Sequence, residues 1–238
     1  MPILEIKNLK VIVDGHEIIG GLDFSVEKNE TLAIVGPNGA GKTVLFKAIL
    51  GLLPHSGDVK WANGVKIGYV PQRVELIRDF PLSVGDFFDI QNIPLQNAGI
   101  LLNLLGIGVA DIFSANLGIL SGGEFQKVLI ASALADNPDI VFFDEPTAGV
   151  DVTGEATIYK ILTRLQDTKK FAIILISHDL NVVYKYADKV LCLNKRQLCY
   201  GHPLHELTAE NLQHLYGEDS ALYHRHHDNG GFNAHKND

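Results

Sequence analysis

Cysteine and long apolar runs are both scarce in this sequence, and each shortage narrows the class of protein. Cys192 and Cys199 are the only two cysteines among 238 residues, too few for a disulfide-rich secreted domain. The six residues between them match no zinc-binding spacing, so we expect reduced thiols in a cytosolic chain. The longest apolar segment contains Asn103 and Asp111 and is too short to span a bilayer, and the amino terminus MPILEIKNLK lacks the layout of a signal peptide. If the protein works at a membrane, we expect another chain to span it.

Positive charge is also in short supply. Lysine and arginine number 20 against 28 aspartate and glutamate residues, which gives a net charge of −8 at pH 7. A surface of this sign repels nucleic acid phosphates and anionic lipids, so we expect no nucleic acid partner. A chain of 238 residues with 46% hydrophobic residues can bury a large core, as one domain or as a domain with a small subdomain.

The apolar runs that are present alternate with helical patterns. TLAIV, DIVFF and FAIILIS have the composition of strands buried on both faces, and a helical pattern follows each of them. This alternation is typical of a parallel sheet covered by helices. Residues 3–27 instead predict short strands in an antiparallel layer. Ahead of DIVFF, at about 82–136, helical signals replace strand signals and predict an inserted helical subdomain.

The last part of the chain predicts a hairpin and a helix, followed by a polar tail. DKVLCLNK and QLCYG are typical of the two strands of a hairpin, and TAENLQHLYG of a helix that begins with a threonine cap and ends at a glycine. Residues 218–238 have too little apolar mass to fold, so we expect a folded domain at 1–217 and a disordered tail at 218–238. The histidines of this tail either bind a transition metal through neutral imidazoles or belong to a solvated end without a function. They include His224, His226, His227 and His235.

The stretch GPNGAGKT lies between a predicted buried strand and a predicted helix. It fits the pattern G-x-x-x-x-G-K-[ST] in the context that this pattern requires, and its glycine order does not match the dinucleotide-binding fingerprint. The glycines allow backbone amides to curl around phosphate oxygens, to which the following helix presents its positive end. We expect Lys42 to reach the outer phosphates of a nucleotide and the Thr43 hydroxyl to bind Mg²⁺. The predicted phosphate-binding residues are Gly36, Pro37, Asn38, Gly39, Ala40, Gly41, Lys42 and Thr43.

Two adjacent carboxylates and a histidine follow apolar strands. Asp144 and Glu145 end the run IVFF, and adjacent residues of a strand point to opposite faces, so the two should have different functions. We assign Asp144 to the coordination sphere of Mg²⁺ and Glu145 to the water that attacks the γ-phosphate. His178 follows AIILIS, on the side where ligands bind in open α/β sheets. Its chemistry alone is compatible with a γ-phosphate sensor or with a structural histidine.

The stretch LSGGE combines a helix start with two glycines. Ser121, followed three residues later by Glu124, fits the capping-box pattern at the beginning of a helix. Gly122 and Gly123 weaken the first turn of that helix. A helix start without side chains indicates that another group approaches its backbone.

Together these motifs resemble the ATP-binding subunit of ABC transporters, over residues 3 to about 217. GPNGAGKT resembles the Walker A loop, LSGGE the signature motif and IVFFDEP the Walker B strand. Gln72 in YVPQ resembles the Q-loop glutamine, Asp151 in AGVD the end of the D-loop, and His178 the switch histidine. The resemblance implies an α/β P-loop NTPase core of the RecA-like type, with a mainly parallel sheet, an amino-terminal antiparallel layer and an inserted helical subdomain.

In that family two cassettes pair head to tail, and ATP lies between the Walker A loop of one and the signature motif of the other. The resemblance therefore implies a homodimer in which the amides of Gly122 and Gly123 contact the partner's nucleotide. It also implies ATP and Mg²⁺ as cofactors. The implied residues are Glu145, Gln72 and His178 for catalysis, Ser121, Gly122, Gly123 and Asp151 for the nucleotide, and Thr43, Gln72 and Asp144 for Mg²⁺.

Within the family, three longer segments resemble importers of zinc, manganese or iron(II): IGYVPQRVELIRDFPLSVGDFF, ISHDLNVVYKYADKVLCLNK and LTAENLQHLYG. This implies an ATPase that powers the import of a divalent transition metal through separate membrane permease subunits and, indirectly, an extracytoplasmic metal-binding protein. The chain would then be peripheral, on the cytoplasmic side of the cell membrane. Another cargo, or a soluble ATPase in assembly or regulation, is the alternative. Val13 stands where the family usually has an aromatic residue that stacks on adenine, so His16 or another residue would contact the base.

Overall fold

The computed structural model describes residues 1–72, 81–146 and 152–217. Its strands are β1 (Leu4–Val13), β2 (His16–Val26), β3 (Thr31–Val35), β4 (Ser56–Trp61), β5 (Ile67–Val70), β6 (Ile140–Asp144), β7 (Ala172–Ile176), β8 (Lys189–Asn194) and β9 (Arg196–Gly201). Its helices are α1 (Lys42–Ile49), α2 (Val84–Ile90), α3 (Leu95–Leu104), α4 (Gly122–Ala135), α5 (Val152–Lys169), α6 (Leu180–Tyr186), α7 (Pro203–Glu206) and α8 (Ala209–Tyr216).

The larger sheet has six strands in the order β5-β6-β7-β3-β8-β9. The first five are parallel, and β9 returns antiparallel to β8 as the predicted hairpin. Every residue of β3, β6 and β7 is buried. Burial on both faces explains why these strands are continuous apolar runs rather than alternating ones. Because β5, β6, β7 and β3 are parallel neighbours, their carboxyl ends lie side by side along one edge of the sheet.

A smaller antiparallel sheet, in the order β2-β1-β4, forms the predicted amino-terminal layer. The larger sheet separates two apolar cores, and successive residues of β3 point into each in turn. Leu32 and Ile34 pack with the antiparallel layer and α1. Ala33 and Val35 pack instead with the core that includes the helices α3, α4 and α5. This two-sided burial holds the carboxyl end of β3, where the phosphate loop begins.

Helices occupy most of the region between Pro81 and Ala135, as the sequence predicts. They are α2, α3, α4 and two short 3-10 helices at Ile112–Ser114 and Leu117–Ile119. In the three described ranges, no helix combines the length and the hydropathy that crossing a membrane requires. The division of the chain at residue 217 stays a prediction, because 218–238, like Asp151, lies outside the described residues.

The cysteines do not match the prediction of reduced thiols. Cys192 of β8 and Cys199 of β9 form a disulfide. The two residues face each other across the hairpin with their Cα atoms 4.8 Å apart, within the range that a disulfide spans. Their spacing along the chain carries no sign of this pairing, because the register of two strands brings them together.

Candidate active site

The phosphate loop connects β3 to α1 and comprises residues 36–41. Lys42, which is only 7% exposed, donates hydrogen bonds to the carbonyl oxygens of Gly36 at 2.7 Å and Pro37 at 2.9 Å. The pKa of Lys42 is lowered from its ordinary value because burial disfavours the charged ammonium. An anionic phosphate oxygen is a stronger acceptor than either carbonyl. The Lys42 side chain is therefore placed to bind a phosphate at this loop.

Helix α1 begins without a side-chain cap. Gly41 is the N-cap residue, with a left-handed backbone (φ 97°), and the first turn contains no acidic residue. The first amides of the helix therefore keep their donor capacity, and no side chain offsets the positive end of the helix dipole. These are the properties of an anion-binding helix start.

Thr43 and Asp144 place two oxygen ligands beside this loop. Asp144 ends β6, is 2% exposed and accepts a hydrogen bond of 3.4 Å from the Thr43 hydroxyl. Its pKa is raised because burial disfavours the carboxylate, and a bound cation would offset that cost. Hydroxyl and carboxylate oxygens are the ligands that Mg²⁺ prefers. The donor set therefore fits the predicted Mg²⁺.

Glu145 lies between Gln72 and His178. One carboxylate oxygen accepts a hydrogen bond from the Gln72 amide, and the other contacts Nε2 of His178. Gln72, Glu145 and His178 follow the neighbouring strands β5, β6 and β7, so the order of the sheet brings them together. Glu145 has a φ of 52°, which is uncommon for a residue other than glycine.

The two adjacent carboxylates meet different groups, as predicted, but strand alternation is not the reason, because β6 ends at Asp144 and Glu145 follows it with a left-handed backbone. Asp144 contacts Thr43, whereas Glu145 contacts Gln72 and His178. The His178 contact with a carboxylate beside the phosphate loop favours a functional role for this histidine over a structural one. Since the Gln72 amide binds Glu145, a role for Gln72 as a Mg²⁺ ligand stays a prediction.

The signature stretch begins α4 with the predicted capping box. The Ser121 hydroxyl accepts from the Glu124 amide at 3.3 Å, and the Glu124 carboxylate accepts from the Ser121 amide at 2.9 Å. These hydrogen bonds lower the pKa of Glu124, because they favour its charged form. Among the described residues, no atom beyond its own helix backbone and chain neighbours lies within 4 Å of where a Cβ on Gly123 would stand. No described neighbour therefore requires a glycine at this position.

The hairpin turn between β8 and β9 supports the phosphate loop. The sequence predicted the hairpin but not its contact with the loop. The Lys195 amide donates to the Ala40 carbonyl at 3.0 Å, and the Lys195 carbonyl accepts from the Gly20 amide at 2.8 Å. A Cβ on Gly36 would lie 2.0 Å from the Leu193 carbonyl oxygen. These contacts are made by backbone atoms, so no side-chain pattern could have indicated them.

Two further nucleotide contacts were predicted, one by Asp151 and one by the residue that replaces the usual aromatic at Val13. Asp151 lies outside the described residues. Val13 and His16 face each other across the turn between β1 and β2, where Val13 is 36% exposed and His16 is also exposed. The exposure of His16 is compatible with the prediction that His16 or another residue contacts the base.

The family model for ABC transporters matches residues 19–148 of this chain. The chain belongs to the ABC transporter family. Its curated relatives include the zinc import ATP-binding protein ZnuC of Brucella abortus, which is 40% identical over 95% of this chain and 77% of the relative. ZnuC of Pseudomonas entomophila is 36% identical over 95% of this chain and 89% of the relative.

Solved ABC structures have the same fold. An inward-facing metal-chelate type ABC transporter matches with a TM-score of 0.79 and 27% identity, over 91% of this chain and 89% of that chain. The cbiO1 subunit of the Clostridium perfringens cbiONQ complex matches with a TM-score of 0.73 and 26% identity, over 93% and 98%. The predicted P-loop NTPase fold is confirmed, and so is the prediction that the chain is an ABC-type ATPase.

Proposed function

We propose that two copies of this chain hydrolyse MgATP between them and thereby power the import of zinc through a separate membrane permease. The observation that carries the ATPase mechanism is the position of Glu145 between Gln72 and His178 at the edge where the phosphate loop begins. The cargo rests on the relatives at 36% to 40% identity, which are named as zinc import proteins.

In the proposed reaction, Lys42 and the first amides of α1 hold the terminal phosphates of ATP. Mg²⁺, bound by Thr43 and Asp144, would offset the negative charge of these phosphates. Glu145 accepts a proton from the attacking water, and His178 positions Glu145. Each carboxylate oxygen of Glu145 has one partner in this structure and keeps a lone pair that can accept a hydrogen bond from the attacking water.

The dimer is supported by the surroundings of the signature helix. Ser121 and Gly122 are exposed, and in the described part of the chain nothing fills the space where a Cβ on Gly123 would stand. The first turn of α4 can therefore accept a phosphate group that belongs to another copy of the chain. In this arrangement Asp151 also contacts the nucleotide.

The permease is supported by the apolar surface of the helical region. Ile90 is 69% exposed, Ile100 57% and Leu104 51%, and the last two lie four residues apart on α3, one turn from each other. Neighbouring exposed apolar side chains, such as Ile100 and Leu104, are a feature of protein interfaces. We place the permease contact on this surface of α3, on the cytoplasmic side of the membrane.

Co-purification from the native membrane tests the transport subunit. The chain should be recovered with a multi-helix permease, and Ile100→Glu together with Leu104→Ser should reduce that recovery at unchanged ATPase activity of the isolated chain. Leu204→Ser is the matched control, because Leu204 is 71% exposed but lies on α7. Recovery only in the soluble fraction, with soluble partners, would instead support an assembly or regulatory ATPase.

Cellular metal content tests the cargo. Deletion of the chain should lower cellular zinc, and wild-type chain but not a Lys42→Ala variant should restore it. A fall in manganese or iron with unchanged zinc would reassign the cargo within the same mechanism. An extracytoplasmic zinc-binding protein should be needed for the same uptake, because the proposed chain contacts the permease from the cytoplasmic side and cannot deliver zinc to its outer side.

A further inference from the structure

The disulfide between Cys192 and Cys199 lies in the hairpin that supports the phosphate loop. Cys192 pairs with Val35 in the sheet, and Val35 is the last residue before the loop. The chain contains no other cysteine. Any response of this protein to thiol and disulfide reagents must therefore come from this pair.

Two residue pairs separate the disulfide from the hairpin turn. After Cys192 and Cys199 the register shifts by one residue, and the next pairs are Leu193 with Gln197 and Asn194 with Arg196. The turn then contacts the loop through the Lys195 amide, which donates to the Ala40 carbonyl at 3.0 Å. The position of the turn therefore affects the position of the loop backbone that binds phosphate.

A second contact joins the same hairpin to the loop. The Leu193 carbonyl oxygen lies so close to Gly36 that a Cβ there would be 2.0 Å from it. A contact this tight transmits a backbone displacement, because packed groups cannot move independently. The hairpin and the first residue of the phosphate loop must therefore move together.

We propose that Cys192 and Cys199 form a reversible redox switch that sets the nucleotide affinity of the phosphate loop. The closed disulfide holds β8 and β9 together and keeps the loop in its binding conformation, which reduces the conformational cost of binding. Reduction loosens the hairpin and weakens nucleotide binding. The switch depends on nucleotide binding at this loop and is independent of the transported metal.

The oxidation is a thiol–disulfide exchange with a small-molecule disulfide such as glutathione disulfide. One cysteine thiolate attacks a sulfur of the reagent, forms a mixed disulfide and releases one glutathione thiolate. The second cysteine thiolate then attacks the protein sulfur of the mixed disulfide and releases the second glutathione thiolate. The two protons lost by the cysteines are taken up by the two glutathione molecules, and reduction is the reverse.

The sulfurs can be reached without unfolding the parallel strands. Both cysteines are buried, with Cys199 5% exposed, but β9 is at the edge of the six-stranded sheet. Edge elements open locally at a lower free energy than the centre of a fold. Opening of β9 alone would expose Cys199, so we expect slow but reversible exchange.

Nucleotide titrations of the full-length chain test the switch. The chain is equilibrated with glutathione disulfide or with dithiothreitol, and its thiols are counted by alkylation and mass spectrometry. A fluorescent, non-hydrolysable ATP analogue with Mg²⁺ should bind about fivefold more tightly to the oxidised form, which is a modest coupling between linked sites. By linkage, the saturating analogue should make the disulfide harder to reduce by the same factor, about 20 mV for a two-electron couple.

The double variant Cys192→Ala, Cys199→Ala is the control, and its affinity should be the same in both buffers. Equal affinities of the oxidised and reduced wild-type chain, or no disulfide in the oxidising buffer, would overturn the switch. If the variant does not fold, the wild-type comparison decides alone, because the chain has no other thiol. A chain that binds no nucleotide in either state would contradict the proposed function, whereas equal binding contradicts only the switch.

Discussion

The phosphate loop and the start of helix α4 are both rich in glycine, but their glycines have different surroundings. A Cβ on Gly36 would lie 2.0 Å from the Leu193 carbonyl oxygen, which is closer than packed atoms can approach. At Gly123 no described group outside the local helix backbone lies within 4 Å of where a Cβ would stand. The fold requires the first glycine and tolerates a larger residue at the second.

This difference separates the two halves of the proposed active site. The half that includes the phosphate loop is assembled within one chain, where Asp144 meets Thr43 and Glu145 meets Gln72 and His178. In the half that includes Gly123, no described side chain or loop fills the space where a Cβ would stand. A glycine that the described part of its own chain does not require is explained by a group from outside, which in the proposed dimer is the nucleotide of the partner copy.

The largest effect should follow from Glu145→Gln, in the half that one chain completes. The glutamine cannot accept the proton from water, so turnover should fall by about 10²–10⁴-fold while MgATP binding persists. ATP should then hold the dimer closed, because hydrolysis no longer reopens it. Phosphate release measures turnover, and size-exclusion chromatography with MgATP measures dimer formation. Normal steady-state hydrolysis by the variant would show that Glu145 is not the base that activates water.

Gly36→Ala should damage both the fold and nucleotide binding. The added methyl group displaces the Leu193 carbonyl, and overpacking of this kind costs about 2–3 kcal/mol of unfolding free energy. Urea unfolding and titration with an ATP analogue measure the two losses. An alanine variant with wild-type stability and affinity would show that the hairpin does not constrain the loop.

Gly123→Ala should have the opposite pattern. It should raise the unfolding free energy by up to about 1 kcal/mol, since alanine is a better helix former. Turnover of the dimer should fall about tenfold, which corresponds to a clash of about 1.4 kcal/mol in the transition state, while ATP binding by the monomer is unchanged. Gly99→Ala is the matched control inside α3, where a Cβ meets Phe113 at an ordinary 3.6 Å; it should leave turnover unchanged. Equal turnover of the two variants would argue against a nucleotide contact at Gly123.

The smallest effect separates helix capping from nucleotide contact at Ser121. Ser83 and Ser121 both begin helices with capping boxes, with Asp86 and Glu124 respectively. Replacing either serine by alanine should cost about 1 kcal/mol of unfolding free energy. Only Ser121→Ala should also lower turnover, when both variants are assayed well below their melting temperatures. If Ser83→Ala lowers turnover equally, the signature serine acts only as a cap.

Much of the fold could be predicted because its signals are local. The buried strands β3, β6 and β7 are continuous apolar runs, and the phosphate loop is a short motif between a strand and a helix. The positions of Glu145 and His178 followed from the rule that parallel strands end on one edge. The reduced state assigned to Cys192 and Cys199 was wrong, because pairing depends on hairpin register rather than on spacing.

The sequence alone determined the family, the phosphate loop, the catalytic candidates and the capping box, since each of these depends on residue types within a short stretch. Only the tertiary structure decided which groups meet Glu145, why Gly36 must be glycine and which strands the cysteines join. Those features depend on strand order and register between distant segments. The same holds for Gly123. Only the packed chain shows that no described neighbour requires a glycine there, so that its glycine is explained by function rather than by the fold.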